Sequence, residues 1–260
     1  MNEMSAIGYP PLRERDFVLA TDLDGTFLGG TDENRAALYD WIEENRATIG
    51  LIFVTGRDPE FIADICDGTN VPWPDYVIGD VGTTIAEVRD GGSIAPIGAL
   101  EEDISQRWGD KGDAVREALH GHPGLTLQRT PFRYRVSYDL AADDYRPGAE
   151  DKVAALGLDH LVSDNRFFDV LPKGVSKGPS LKRLVAHLGI EEPRVLAAGD
   201  TLNDLSMLES GIQAVAVGGA EAALLDRVSH LDHVFTATEI GAAGILQAVA
   251  ALDLHPTPKG

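Results

Sequence analysis

The chain has a single cysteine, Cys66, in 260 residues, so no intrachain disulfide can form and a disulfide-stapled scaffold is excluded. Cys66 is expected to pack as a small apolar side chain on a helix. The seven histidines match no zinc-ligand spacing, which argues against a zinc site. No apolar run approaches the roughly 20 residues that cross a bilayer. Residues 1–15 carry Glu3, Pro10, Pro11 and Glu14 where a signal peptide would carry its apolar centre. A cytoplasmic protein is expected. Basic residues are also scarce: 22 Lys and Arg stand against 42 Asp and Glu, a formal charge of −20. Such a surface repels nucleic-acid backbones and anionic membranes, so neither is an expected partner. The sequence does not fix an oligomeric state. No internal repeat is present, and the tail from His255 to Gly260 is expected to be disordered.

What is present is alternation of buried strands and amphipathic helices. Phe17–Thr21, Leu51–Val54, Tyr76–Ile78 and Arg194–Ala198 read as strands. A helix near Asp32–Arg46 places Ala37, Leu38, Trp41 and Ile42 on one face, and Asp58-Pro59 is an N-cap followed by proline at the first helical position. This order predicts an α/β fold with a parallel sheet, whose ligands lie at the carboxyl ends of the strands.

Polar residues collect at those strand ends. Asp22-Leu23-Asp24-Gly25-Thr26 follows the first strand; paired carboxylates there suit a hard cation plus acid–base chemistry, although Asp-Gly is also an ordinary turn. Thr55-Gly56-Arg57 offers a hydroxyl, backbone N–H groups and a guanidinium suited to phosphate oxygens. Ser176-Lys177-Gly178 opens a helix carrying Leu181, Leu184, Val185 and Leu188, where Lys177 either meets an anion or caps the helix. Gly199-Asp200-Thr201-Leu202-Asn203-Asp204 puts Asp200 and Asp204 one turn apart, as metal ligands or as a cap for the next helix.

In this order the four motifs resemble the haloacid dehalogenase superfamily of phosphatases. Gly79-Asp80-Val81-Gly82-Thr83-Thr84-Ile85, Arg135-Val136-Ser137-Tyr138 and Phe168-Asp169-Val170-Leu171-Pro172 resemble its sucrose-phosphate phosphatase branch, while Gly25 departs from the Asn or His common there. The resemblance implies a Rossmann-like core over residues 1–88 and 168–260, interrupted by an inserted α+β cap over 89–167. It implies that Asp22 attacks phosphorus and that Asp24 serves as general acid and base. Mg²⁺ would be held by Asp22, the Asp24 carbonyl, Asp200 and, through water, Asp204. Thr55, Gly56, Arg57, Lys177 and Asn203 would hold phosphoryl oxygens or orient the group that does, and Asp80 would stand close behind. Sucrose 6-phosphate, mannosylfructose phosphate and glucosylglycerol phosphate all fit as substrates; a sugar phosphomutase or an inactive sugar-phosphate-binding protein is the alternative.

Within the cap, Arg89-Asp90-Gly91-Gly92-Ser93 reads as a hairpin turn. Helices near Leu100–Trp108, Asp113–His120 and Glu150–Leu156 flank a strand, Phe132–Tyr138, whose alternation sets Phe132, Tyr134, Val136 and Tyr138 on one face. Arg133, Arg135 and Ser137 fall on the other face, which is either a substrate-reading surface or a solvated one. Arg166 is a third candidate for contact with the sugar, with Trp108 and Lys173 behind it.

Overall fold

The computed structural model describes residues 9–130, 132–163 and 165–258. Residues 1–8 of the segment read as lacking a leader, and the last two of the tail, lie outside the described residues.

Five strands come first: β1 (Phe17–Thr21), β2 (Ile49–Val54), β3 (Tyr76–Gly79), β4 (Thr84–Arg89) and β5 (Ser93–Pro96). Four follow in the middle of the chain: β6 (Leu125–Leu127), β7 (Val136–Leu140), β8 (Leu158–Ser163) and β9 (Phe167–Pro172). The last three are β10 (Val195–Gly199), β11 (Ala214–Gly218) and β12 (Val234–Ile240). The helices are α1 (Asp32–Glu44), α2 (Pro59–Gly68), α3 (Gly98–Trp108), α4 (Gly112–Ala118), α5 (Ala149–Ala155), α6 (Lys177–Leu188), α7 (Leu205–Leu208), α8 (Ala222–Val228) and α9 (Ala242–Ala251).

The first and last groups of strands form one sheet in the order β12-β11-β10-β1-β2-β3-β4-β5, parallel from β12 through β3 and antiparallel across β4 and β5. Strand β1 lies near the middle and is buried at every position, as a parallel strand covered on both faces must be. Its alternation divides two cores: Phe17 and Leu19 pack with α1 and α9, whereas Val18 and Ala20 pack with α6 and α8. Helix α1 starts where Thr31 Oγ1 accepts from Asn34 N–H at 3.2 Å, and α2 where Asp58 accepts from Phe61 N–H at 2.9 Å. Leu38, Trp41 and Ile42 face the core together with Tyr39, while Ala37 is exposed. Cys66 is buried on α2, and burial pushes its thiol up to about 12.

The middle strands form a second, antiparallel sheet, β6-β7-β9-β8, with α4 and α5 over a separate core of Val136, Tyr138, Phe168 and Val170. Helix α3 joins the two layers, since Ile104 packs in the large-sheet core and Trp108, one turn later, in the small one. Sheet membership moves both joins expected from sequence. The turn at 89–93 is a hairpin, but β5 still pairs with β4 in the large sheet, so residue 89 does not end the core. Residue 168 lies inside β9, the central partner of β7 and β8, because alternating Phe168 and Val170 are needed to fill the small core. The strand expected from Phe132 starts its ladder only at Val136.

The tail is packed through Pro256 rather than disordered. His255 lies 5.6 Å from the Trp41 ring and bonds Thr48 at 2.9 Å, and Trp41 Nε1 donates to Pro256 O at 2.8 Å. Among the described residues, no helix is long and apolar enough to cross a membrane.

Candidate active site

Four segments converge at the carboxyl rim of β1, β2 and β10. Directly after β1 the chain makes one wide turn, Leu23–Phe27, in which Leu28 N–H bonds Leu23 O at 2.9 Å. Asp24 leaves the helical region inside that turn (ψ 121°), and Gly25 takes φ +80°, which glycine holds without strain. A Cβ on Gly25 would lie 2.2 Å from Asp200 Oδ2, so the bare backbone lets Asp200 reach the turn. Thr26 Oγ1 donates to Asp200 Oδ1 at 2.7 Å and fixes it there.

Lys177 is the first residue of α6 and is fully buried. Its helix can approach α7 because Gly178 has no side chain: a Cβ there would stand 1.9 Å from Ser206 O. Lys177 Nζ donates to Asp22 Oδ1 at 2.6 Å, Asp204 Oδ1 at 2.7 Å and Asn203 Oδ1 at 2.8 Å, which uses all three of its protons. Asp204, also fully buried, turns its other oxygen to the N–H groups of Asp200 and Thr201 at 3.0 and 3.1 Å.

The carboxylates of Asp22, Asp200 and Asp204 each offer an oxygen within 4.8 Å of the others. Two of the three, Asp22 and Asp204, also meet the Lys177 ammonium. Burial raises the Asp22 carboxyl well above the usual range; Lys177 opposes the shift, and Asp204 and Asp200 reinforce it. Burial works against the charge on Lys177, but Asp204 and Asp22 outweigh it and hold the ammonium protonated. The all-oxygen donor set and the surplus negative charge fit a small divalent cation. Asp22 uses one oxygen on Lys177, whereas Asp204 spends both of its own on Lys177 and two amides.

Asp24 is not part of this cluster. Its carboxylate points outward and takes a paired bond from Arg57, at 2.9 Å from Nε and 3.2 Å from Nη2, with about half of each side chain exposed. Arg57 also covers the Phe61 ring at 4.5 Å. Thr55, fully enclosed, accepts from Arg57 N–H at 3.1 Å, so the Thr-Gly-Arg turn is internally braced. The expected residues therefore fall in two groups: Asp22, Asp200, Asp204, Lys177 and Asn203 around the buried ammonium, and Asp24 with Thr55, Gly56 and Arg57 at the mouth.

The cap arginines stand differently from expectation. Arg133 makes a two-pronged pair with Glu101 of α3 at 2.6 Å on both arms. Arg135 is neither solvated nor free: it is 6% exposed and reaches Asp169, Asp80 and the carbonyl of Gly56. From Arg135 to Tyr138 both faces are buried because the small sheet lies against the rim there, whereas Arg133 stays exposed, and alternation alone cannot reveal a second covering layer. Arg166 is exposed, with its guanidinium 5.5 Å above the Phe167 ring. Trp108 is a core residue of the small layer and Lys173 is exposed. Glu101, Ser137 and Thr26 carry contacts that motif reading did not assign; for Ser137 the signal was its shared face with Arg135. A cleft of about 570 Å³ between α5, β8 and α7 reaches Asn203, with Asp159, His160, Ser206 and Glu209 on its walls, and it does not touch Asp22.

This geometry has close counterparts. The Synechocystis sp. sucrose-phosphatase, solved with sucrose and phosphate, superposes with a TM-score of 0.81 over 92% of this chain and 98% of that one, at 24% identity. The large and small sheets therefore share the haloacid dehalogenase fold. Among sequence relatives, a glucosylglycerol-phosphate synthase of Pseudomonas anguilliseptica is 39% identical over 89% of this chain, which spans only 30% of that protein's length. A mannosylfructose-phosphate phosphatase of Agrobacterium fabrum is 28% identical over 95% of this chain and 99% of its own. Sucrose-phosphatase 2 of Nicotiana tabacum is 30% identical over 92% of this chain and 60% of its own. The family model described as sucrose-6F-phosphate phosphohydrolase matches residues 15–253, and the chain belongs to that family of haloacid dehalogenase phosphatases.

Proposed function

We propose that this chain is a Mg²⁺-dependent phosphomonoesterase that removes phosphate from a phosphorylated glycoside. The observation that carries the reading is the buried cluster in which Lys177 touches Asp22 and Asp204 while Asp200 stands alongside. Asp22 supplies the nucleophile: its carboxylate oxygen bonds phosphorus, and the bond from phosphorus to the sugar oxygen breaks. Asp24 delivers a proton to that leaving oxygen and later takes one from the water that hydrolyses the aspartyl-phosphate, releasing phosphate and restoring Asp22. Its outward, half-exposed position gives it room to turn from Arg57 toward the leaving group. Lys177, oriented by Asn203, and Thr55 offset the charge on the phosphoryl oxygens. Mg²⁺, held by Asp22, Asp200 and the Asp24 carbonyl with Asp204 behind, would neutralise the surplus carboxylate charge and draw electron density from the phosphoryl group.

The small sheet with α3 to α5 is read as the cap that selects the sugar, the role proposed for the region first drawn as residues 89–167. The cleft beside Asn203 has hydroxyl, imidazole and carboxylate walls that suit a neutral polyhydroxylated group and disfavour a second anion. Glucosylglycerol phosphate leads the candidates, because the relative with that compound in its name shares the higher identity; mannosylfructose phosphate and sucrose 6-phosphate follow. The reading places the enzyme in the cytoplasm, where a lone thiol such as Cys66 stays reduced.

The test is phosphate release in Mg²⁺ from these three compounds, glucose 6-phosphate and an aryl phosphate. Release from one glycoside phosphate at least about tenfold faster than from glucose 6-phosphate is expected. Isomerised ester without free phosphate would indicate a mutase, and binding without turnover an inactive protein.

A further inference from the structure

Arg135 joins three segments that are far apart in sequence. From β7's approach it reaches Asp169 of β9 at 3.3 Å, the carbonyl of Gly56 after β2 at 3.1 Å, and Asp80 after β3 at 3.5 Å. The Phe132 ring covers its guanidinium at 3.5 Å. Asp169 is held in turn by Ser137 Oγ at 2.5 Å, and Asp80 by Thr84 Oγ1 at 2.5 Å. Asp80 and Val81 both hold left-handed backbone, φ +53° and +60°, a conformation that a β-branched residue such as Val81 rarely adopts. What fixes it is the Thr-Gly-Arg turn: Asp80 N–H bonds Arg57 O at 2.9 Å, and Val81 N–H bonds Thr55 O at 3.1 Å.

We propose that Arg135 is a positioning residue, which locks the Thr55-Gly56-Arg57 turn to the strained Asp80-Val81 corner only while the small sheet is docked on the rim. The inference rests on the phosphatase reading and deepens it, since that turn carries Thr55 and the arginine that pairs with Asp24. Arg135 then acts through the turn and does not touch the sugar. Docking of the cap is thereby coupled to the shape of the phosphate-facing turn by one buried guanidinium with acceptors on both sides.

The experiment compares full-length Arg135→Met and Arg135→Lys with the unaltered chain in Mg²⁺. It follows turnover of an aryl phosphate and of the best glycoside phosphate, together with hydrogen exchange of the Asp80 and Val81 amides. Arg135→Met should lower kcat about 30-fold on both esters with KM changed less than about threefold, and those two amides should exchange at least about tenfold faster. Arg135→Lys, able to meet one acceptor at a time, should recover part of both. The amides of Leu19 and Ala20 should keep their protection, and if Arg135→Met fails to fold, Asp80→Asn carries the same readouts. Aryl phosphate kcat within about twofold of the unaltered chain would overturn the proposal, whatever the exchange rates. So would unchanged exchange at Asp80 and Val81, or a defect confined to KM for the glycoside, which would make Arg135 a reader of sugar. A chain that releases no phosphate from any ester defeats the phosphatase reading, and the exchange comparison then decides the role of Arg135 by itself.

Discussion

Two cations are buried among carboxylates in this molecule, and their surroundings differ. Lys177 at the rim of the large sheet meets Asp22 and Asp204, with Asp200 alongside, so its pocket carries a surplus of negative charge. Arg135 at the face of the small sheet meets Asp169, Asp80 and a neutral carbonyl; Ser137 donates to the same Asp169 oxygen that Arg135 meets, and Thr84 to the other oxygen of Asp80. On the proposed reading the first arrangement receives a cation and a phosphoryl group. The second ties the small sheet to the turns after β2 and β3. A buried ion pair alone does not tell site from scaffold; the local sum of charge and hydrogen bonds does.

The sharpest way to break this distinction is Asp22→Asn, which keeps the shape of the Lys177 pocket but removes the proposed nucleophile. Turnover should fall on the order of 10³-fold or more, with an unchanged circular dichroism spectrum. Retained phosphate release would make the Lys177 cluster scaffold as well.

Lys177→Met leaves the carboxylates unpaired and should destabilise the metal-free protein by about 3–5 kcal/mol. Urea unfolding with and without Mg²⁺ checks it: Mg²⁺ should restore part of the loss, and no recovery would contradict a cation site there.

The pH dependence separates the two pockets. Burial raises the carboxyls of Asp22, Asp80 and Asp169 above their unfolded values near 3.9, so each contributes stability that is present below that pH and lost as pH rises through the folded value. With chelator, the melting temperature should therefore fall with rising pH above 4 more steeply than with Mg²⁺, which favours ionised Asp22. The part due to Asp80 and Asp169 should persist in Mg²⁺. Equal slopes in the two conditions would unseat Asp22 as a ligand.

The smallest effects belong to the outer arginines. Arg133→Ala strands the nearly buried Glu101 carboxylate and should cost about 1–2 kcal/mol, whereas Arg166→Ala should change stability by less than about 0.5 kcal/mol. A rise in KM for the glycoside phosphate in Arg166→Ala, with aryl phosphate unaffected, would restore a substrate-reading role to the exposed part of the cap.

The rim was legible in the sequence because each of its motifs is local. A buried strand followed by Asp22-x-Asp24 or by Gly199-Asp200 specifies both the element and the end at which the polar groups emerge. Lys177 could be placed at a helix start, but its three acceptors come from β1's end and from residues 203–204, which no spacing announces. The small sheet was less legible. The strand Phe167–Pro172 reads equally well as the return to the core, and only pairing with β7 and β8 assigns it to the small sheet. The burial of Arg135 depends on Gly56 and Asp80, each more than fifty residues away in sequence, so period-two alternation could report its face but not what covers that face.

The pair of Arg57 with Asp24 lies half in water, unlike Lys177 behind it. Exposed pairs weaken as the screening length shortens, to about 8 Å at 0.15 M ionic strength, and the repulsion between a dianionic ester and a chain of charge −20 weakens with them. If the chain acts on a phosphate ester as proposed, added salt makes two opposed changes at the entrance, freeing Arg57 to receive the ester while dulling its pull, and it leaves the enclosed floor untouched. Encounter with the ester can be tuned by the solvent, while the chemical step is insulated from it.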